Sequence, residues 1–557
     1  MAERGAVRDA ASIAEPSGHI DTFCARHLPP PELWPVREWA GIPELIYPAR
    51  LNCATELLDR TVALRDGERP VFQFPGGVWT YRELMEKANR IANVMVDDLG
   101  LIPGNRVLLR GPNTPMMAAC WFAVLKAGGV AVCTMPLLRE RELRYVADKA
   151  GMRLALTDSR LAAECEAAFL TGREGEVGTG ARVMQFNSDS LDGLEQSMER
   201  KPATFANRDT SADDIAIIAF TSGTTGEGKG TMHSHRDLLA VSDCFPRYVL
   251  QPVSDDLFCG SPPLAFTFAL GGLILFPMRV GACSLLLEQP TPPNLIEAIE
   301  QYRPTICFTA PTAYRAMSRL LAEHDVSSLR KCVSAGEALP PAVYEDWHTG
   351  TGIRIIDGIG ATEMLHIFIS ASGDDIRPGA TGKIVPGYRA RVVDDDNNDV
   401  PVGTVGRLAV RGPTGCRYLD NIPQQREYVR DGWNLTGDSY VLDADGYFWY
   451  QARTDDMIIS GGYNIAGPEV ENVLLEHASV AECAVIGEPN EERGSIVKAY
   501  VVLVQGQTGN AKMAKELQDF VKSQIAPYKY PRAVEFTESL PRTPTGKLQR
   551  YRLRETT

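Results

Sequence analysis

The chain has 557 residues, enough for more than one domain and a sizeable buried core. A formal charge of −14 argues against non-specific nucleic-acid binding, and the apolar and charged fractions are ordinary for a soluble protein. No apolar run reaches the length of a membrane span, acids at Glu3 and Asp9 stand where a signal sequence would be apolar, and the twelve cysteines form no C-x-x-C pairs, so a cytoplasmic protein with reduced thiols is expected.

Residues 1–50 are proline-rich, with Leu28-Pro-Pro-Pro31 and Trp34-Pro35, and read as a surface arm held by its aromatics. Thr80-Tyr-Arg-Glu83 has the form of a capping box. Leu84, Ala88, Ile91, Ala92, Met95 and Leu99 follow on one helical face, which Gly100 and Pro103-Gly104 stop. Arg106-Val-Leu-Leu-Arg110 is a buried-strand candidate, 115–127 a helix and 128–133 the next strand. A helix near 139–150 and a strand at Leu154-Ala-Leu-Thr157 continue an alternation that predicts a parallel sheet covered by helices. Residues 170–210 are polar and uneven and read as a surface excursion.

A short apolar strand at 214–220 runs into Thr221-Ser-Gly-Thr-Thr-Gly-Glu-Gly-Lys-Gly230, with a helix expected from about Ser234. Further strands are expected at Leu285-Leu-Leu287, Ile306-Cys-Phe308, Lys331-Cys-Val333 and Arg354-Ile-Ile356, with helices at about 292–302, 311–323 and 341–349. Past Gly379, short β-rich pieces alternate with Gly/Asp turns and suggest a small β subdomain to about 452. From 453 an α/β module follows: a helix at 467–476, strands at 480–486 and 497–504, a helix at 511–525 and a Pro/Thr-rich tail. The expected fold is α/β: the arm, a large N-terminal domain (51–452) of helix-covered sheets that includes the β subdomain, and a small mobile α+β C-terminal domain (453–557).

The loop after 220 suits an anion. Glycines let backbone N–H groups converge on phosphate oxygens, the hydroxyls add donors, and Lys229 adds charge. Gly223-x4-Gly228-Lys229 nearly spells a P-loop, but Gly230 stands where that motif needs a metal-binding Ser or Thr. Four other stretches carry chemistry: Val333-Ser-Ala-Gly-Glu337, Asp357-Gly-Ile-Gly-Ala-Thr-Glu363, Leu435-Thr-Gly-Asp438 with Arg453-Thr-Asp455, and Leu540-Pro-Arg-Thr-Pro-Thr-Gly-Lys547. The first two follow predicted strands, where open α/β sheets bind ligands, and their glycines would let a flat base lie against backbone. Glu363 is an oxygen ligand suited to Mg²⁺, and Asp438 suits ribose hydroxyls. His233 and His235 have no third ligand nearby and read as capping or packing residues.

Together and in this order, these stretches resemble the acyl-adenylate-forming superfamily of acyl-CoA ligases, luciferases and peptide-synthetase adenylation domains, over roughly residues 50 to 555. Two departures stand out: Gly228 replaces the usual proline of the glycine/threonine loop, and Ile359 replaces the tyrosine of the Tyr-Gly-x-Thr-Glu pattern. The resemblance implies ATP, Mg²⁺ and coenzyme A. It assigns the β- and γ-phosphates to Thr221, Ser222, Gly223, Thr224, Thr225, Gly226 and Lys229, the α-phosphate to Thr362 and Mg²⁺ to Glu363. Ala335, Gly336, Glu337, Asp357, Gly358, Ile359 and Gly360 would line the adenine, and Asp438 and Arg453 would grip the ribose. Lys547 would bridge carboxylate and α-phosphate, Asp455 would be the hinge of a rotating C-terminal domain, and Gly461, Gly462 and Tyr463 would border the pantetheine tunnel of CoA.

The acid-binding wall is expected in Ser261-Pro-Pro-Leu-Ala-Phe-Thr-Phe-Ala-Leu-Gly-Gly272 and Met364-Leu-His-Ile-Phe368, with Phe266, Thr267, Phe268, Ala335, Gly360 and His366 facing the substrate. Two phenylalanines favour a flat apolar ring, although ordinary core packing would also use them. Both segments look like those of benzoate-type ligases, closest to 2-aminobenzoate–CoA ligases, with Ala269 where that subfamily has glycine. A small aryl acid is therefore the expected partner, with no nucleic acid or membrane. Monomer and homodimer stay open, as do loading of a carrier protein and, more remotely, a P-loop NTPase.

Overall fold

The computed structural model describes residues 16–39, 41–170, 180–221, 228–453, 456–460, 463–490, 494–525, 527–542 and 548–555. Among these, strands group into five sheets. A six-stranded sheet runs in the order Arg182–Phe186, Leu154–Asp158, Arg106–Arg110, Val130–Thr134, Ile215–Thr221, Lys229–Ser234, and every pair is parallel except the last. A nine-stranded sheet has a parallel centre that includes Leu257–Gly260, Ile306–Thr309, Lys331–Ser334 and Ile355–Gly360, closed by antiparallel strands at both edges.

One apolar core joins these two sheets. It runs from Val107 and Leu109 through Trp121 and Phe122 to Phe258, Phe308 and Val333. The helix Pro115–Lys126 is buried at every residue, as a helix that is apolar all round must be. Thr80 caps the helix Tyr81–Asn93 with the expected box: its hydroxyl accepts from Glu83 N at 3.1 Å, and Glu83 accepts from Thr80 N at 2.7 Å.

The predicted β subdomain is a five-stranded antiparallel sheet from Arg389 to Arg453. The C-terminal module builds a three-stranded sheet from Val480–Asn490, Gly494–Leu503 and Ala533–Phe536, packed by helices Gly467–Glu476 and Ala511–Gln524 around an interior of its own. No helix of the described residues is long and apolar enough to cross a membrane.

The structure departs from the sequence reading in several places. Lys229–Ser234 is a strand, and the helix His235–Asp243 begins only after it. The stretch 170–210 contributes the edge strand Arg182–Phe186 and the helix Leu194–Glu199, so it belongs to the sheet layer. Strand Cys283–Leu285 ends where the apolar triplet begins, because Ser284 and Leu285 pair with Phe72 and Gln73. The C-terminal tail adds the strand Ala533–Phe536 and the helix Arg550–Glu555. Polar or mixed composition hid the first, second and last of these, since partners far along the chain supply their pairing and burial.

Candidate active site

The glycine/threonine loop connects two antiparallel strands. Thr221 and Lys229 pair across the antiparallel strands Ile215–Thr221 and Lys229–Ser234; Ser222, Gly223, Thr224, Thr225 and Gly226 lie outside the described residues. A P-loop needs strand, loop and then a helix whose N-terminus faces the phosphates. Here a strand follows, so the topology excludes that reading. Gly228 packs tightly: a Cβ there would stand 3.0 Å from the Thr221 carbonyl oxygen, and the Gly228 carbonyl accepts from Tyr145 Oη at 3.0 Å.

The two expected adenine segments are neighbours. Ser334 pairs with Asp357 in the parallel register of Lys331–Ser334 and Ile355–Gly360, so 335–337 leaves its strand beside 357–360. Asp357 to Gly360 belong to the strand itself, where the sequence reading put a loop. The glycines also divide differently from expectation. A Cβ on Gly358 would meet the Ile367 side chain at 2.8 Å, and one on Gly360 would meet the His366 backbone at 2.8 Å, so the strand Ile367–Ser370 requires both. Gly336, with φ +92° and nothing within 4 Å of where a Cβ would stand, is the glycine that opens onto free space. Ile359 packs against the main core. Asp357 Oδ1 is shielded and has no hydrogen-bond partner, and burial pushes this carboxyl up to about 8. A shielded, unsatisfied acid where the parallel pairing ends fits a polar group of a bound base.

Thr362–Met364 forms one tight turn, and Leu365 follows with φ +72°, an uncommon conformation for a residue with a side chain. Two contacts hold this turn. His233 Nε2 donates to the Thr362 carbonyl at 2.7 Å, and Tyr418 Oη donates to Glu363 Oε1 at 2.6 Å. Burial lowers His233 to about 4, against the opposing pull of Asp237, so the ring is neutral and its proton sits on Nε2. Burial and then the Glu363 carboxylate push the Tyr418 phenol far up, so it stays a donor. The sequence alone anticipates neither contact: His233 reads there as a packing residue, and Tyr418 sits in Arg417-Tyr-Leu-Asp420, which carries no motif.

Asp438 and Arg453 are cross-strand partners, 3.2 Å apart, and Arg453 also donates to the Thr436 carbonyl at 3.1 Å. Arg542 reaches from the C-terminal module to Glu337 at 3.5 Å, and to Glu482 within its own module at 2.7 Å. It pairs with Leu548 across residues 543–547; Lys547 itself, Asp455, Gly461 and Gly462 lie outside the described residues, and Tyr463 is described only as the start of the strand Tyr463–Ile465.

The two segments expected to bind the acid converge. His366 is 3% exposed and is ringed by Phe276 at 4.5 Å, Phe268 at 5.7 Å, Phe245 at 5.9 Å and Phe308 at 6.5 Å between ring centroids. Its Nε2 lies 3.3 Å from the Phe268 carbonyl, its Nδ1 is shielded without a partner, and burial lowers it to about 3. Nε2 therefore carries the proton, and Nδ1 presents a lone pair. Phe266, Thr267 and Phe268 are half-buried, and the first two line a crevice with Trp121, Cys133, Leu264 and Leu270.

His233 and His235 each make a hydrogen bond to the main chain. His235 Nδ1 accepts from Cys53 N at 3.2 Å, and no cluster of three or more His, Cys, Asp or Glu residues able to hold a metal occurs among the described residues. Glu363 stands as a single half-buried carboxylate, with one oxygen bonded to Tyr418 and the other without a hydrogen bond among the described residues. That fits Mg²⁺ held by one carboxylate together with substrate phosphates.

Comparisons with known proteins agree with this geometry. Residues 59–417 match the model of the AMP-binding enzyme family, and 469–547 match that of the AMP-binding enzyme C-terminal domain. The chain is 34% identical over 520 residues to benzoate–CoA ligase of Thauera aromatica, covering 92% of this chain and 97% of that one. It is 32% identical to 3-hydroxybenzoate–CoA ligase of Aromatoleum sp. (strain CIB), covering 91% and 97%. A solved structure of the anthranilate CoA ligase AuaEII in complex with anthranoyl-AMP superposes with a TM-score of 0.86 at 33% identity, covering 92% of this chain and 99% of that one. The chain therefore belongs to the AMP-binding enzyme family and is an AMP-forming acid–thiol (acyl-CoA) ligase.

Proposed function

We propose that this ligase activates an aromatic carboxylic acid, with 2-aminobenzoate as its preferred substrate. The observation that carries the reading is His366, neutral and boxed by four phenylalanine rings, with the unpartnered Nδ1 as a hydrogen-bond acceptor. A flat ring suits the aromatic walls, and an N–H on that ring suits the lone acceptor. The names of the relatives, ligases of benzoate, 3-hydroxybenzoate and anthranilate, support the same substrate class.

The reaction has two steps. A carboxylate oxygen attacks the α-phosphorus of ATP and pyrophosphate leaves; the thiolate of coenzyme A then attacks the acyl carbon and AMP leaves. The first step brings two anions together, so positive charge and positioning carry much of the catalysis. Lys229 and the glycine/threonine loop hold the departing phosphates, Thr362 the α-phosphate, Asp438 and Arg453 the ribose, and 335–337 with Asp357 the adenine. Mg²⁺, when bound with ATP at Glu363, offsets phosphate charge. Lys547 meets the carboxylate and α-phosphate in the first step. A turn of the C-terminal domain about Asp455 withdraws it and brings Gly461, Gly462 and Tyr463 to the pantetheine for the second.

Acid-dependent ATP–pyrophosphate exchange over benzoate, 2-aminobenzoate, 3-hydroxybenzoate and straight-chain acids, followed by addition of CoA, tests this. The expected order of kcat/KM places 2-aminobenzoate first and straight-chain acids last. Equal rates with straight-chain acids would overturn the aryl reading, and a benzoate preference would overturn the amine contact.

A further inference from the structure

Tyr418 lies on neither of the strands that carry the nucleotide motifs, yet its hydroxyl bonds the Glu363 carboxylate at 2.6 Å. It is 2% exposed and is fixed from three directions. Its segment pairs with Lys229–Ser234, the strand that leaves the glycine/threonine loop: Thr231 bridges Tyr418, Met232 N donates to the Arg417 carbonyl at 2.9 Å, and Leu419 N donates to the Gly230 carbonyl at 2.8 Å. Its own N–H donates at 2.8 Å to Oε1 of Gln425, a fully buried side chain. The ring of Tyr428 meets its ring edge-on, with centroids 5.8 Å apart.

The bracing continues into the N-terminal arm. Gln425 Nε2 donates to the Cys416 carbonyl at 3.0 Å and to the Leu33 carbonyl at 2.9 Å. Arg417, next to Tyr418, is buried and pairs with Asp237 at 2.6 Å; the same carboxylate takes Arg37 of the arm at 2.9 Å. The main chain, the ring and the hydroxyl of Tyr418 are thus each held separately, and the hydroxyl ends on one carboxylate oxygen. A tyrosine needed only to fill space would not need its hydroxyl aimed at an acid.

We infer that Tyr418 is the positioning residue of the Glu363 carboxylate: its hydroxyl takes Oε1, fixes the plane of the carboxylate and leaves Oε2 for the divalent cation that accompanies ATP. Residues 33–37 of the arm and Gln425 act on the cation through Tyr418. The inference rests on the reading that Glu363 holds that cation. Outer contacts of this kind commonly change metal affinity about 10-fold or more when removed.

Mn²⁺ replaces Mg²⁺ as the probe, and its binding to the full-length enzyme with saturating ATP is followed by electron paramagnetic resonance for the wild type, Tyr418→Phe and Glu363→Gln. Tyr418→Phe is expected to weaken Mn²⁺ binding about 10-fold, to raise the metal concentration for half-maximal adenylation by a similar factor, and to leave thioester formation from preformed acyl-AMP unchanged. Glu363→Gln is expected to lose more. Wild-type Mn²⁺ affinity in Tyr418→Phe beside a loss in Glu363→Gln would overturn the role of Tyr418 and leave the Glu363 reading standing. Wild-type affinity in Glu363→Gln would overturn that reading, and the inference with it. Should Tyr418→Phe not fold, Gln425→Met removes the amide contacts at similar volume and is read in the same way.

Discussion

Asp357 lies directly across from Ser334 on neighbouring parallel strands, and its carboxyl oxygen Oδ1 is shielded without a partner. Burial raises this carboxyl to about 8, so the folded chain keeps a proton that the unfolded chain gives up near 4. The folded state therefore binds more protons between those values, and the contribution of Asp357 is fully present below pH 4 and is lost as pH rises through about 8. Asp357→Asn should flatten that part of the profile. Unfolding free energies from urea titrations at pH 5, 7 and 9 should fall less in the variant, by about 1–3 kcal/mol across the range, since the residue keeps some solvent contact. Parallel slopes in the two proteins would contradict the upward shift of the Asp357 carboxyl.

Gly271 has no room for a side chain. A Cβ there would stand 2.3 Å from His366 Cδ2 and 2.9 Å from Phe276, both held in the aromatic box. Gly271→Ala should cost about 1–3 kcal/mol of stability through overpacking. It should raise KM for the aryl acid far more than KM for ATP, which steady-state kinetics with each substrate varied in turn would show.

Asp438 and Arg453 face each other at 3.2 Å, with the arginine side chain 47% exposed. An ion pair this open contributes less than about 1 kcal/mol to stability. Asp438→Asn should accordingly leave the melting temperature almost unchanged while raising KM for ATP about 10-fold or more, the scale of a lost charged hydrogen bond. A large fall in melting temperature would show that the pair serves the fold instead of the ribose.

Arg542 joins the C-terminal module to Glu337 at the expected adenine edge. Arg542→Glu should slow adenylation and spare thioester formation from preformed acyl-AMP, and Glu337→Arg in the same chain should restore part of the loss. Lys547→Ala should show the same split more strongly, with adenylation abolished. Equal damage to both steps in Arg542→Glu would place its role outside the adenylating arrangement.

Much of the fold was legible where periodicity was strong. The helix Tyr81–Asn93 announced itself through Thr80 and Glu83, and the buried strands of the parallel sheets through their apolar runs. The strand Lys229–Ser234 was hidden because Lys229, Gly230 and Thr231 carry no strand pattern; Ile215–Thr221 and the Tyr418 segment supply their pairing. At the candidate site, motifs mark segments but not what braces them. Glu363 could be read from its neighbours in sequence, whereas its partner Tyr418 is 55 positions away and only the folded chain brings the two together. The roles of Gly358 and Gly360 escaped the sequence for the same reason, since the side chain and backbone they avoid come from Ile367 and His366 on the next strand.

The C-terminal module closes an interior drawn from its own residues, Ile458 through Phe536, while the large core draws on none of them. The two halves consequently meet much as separate molecules do, through polar handholds such as Arg542 on Glu337 and Arg315 on the Val480 carbonyl. Handholds of this kind can be released and remade in water at small net cost, because solvent substitutes for each partner in turn. A single polypeptide can thus present two different faces to one bound intermediate without either half opening its core.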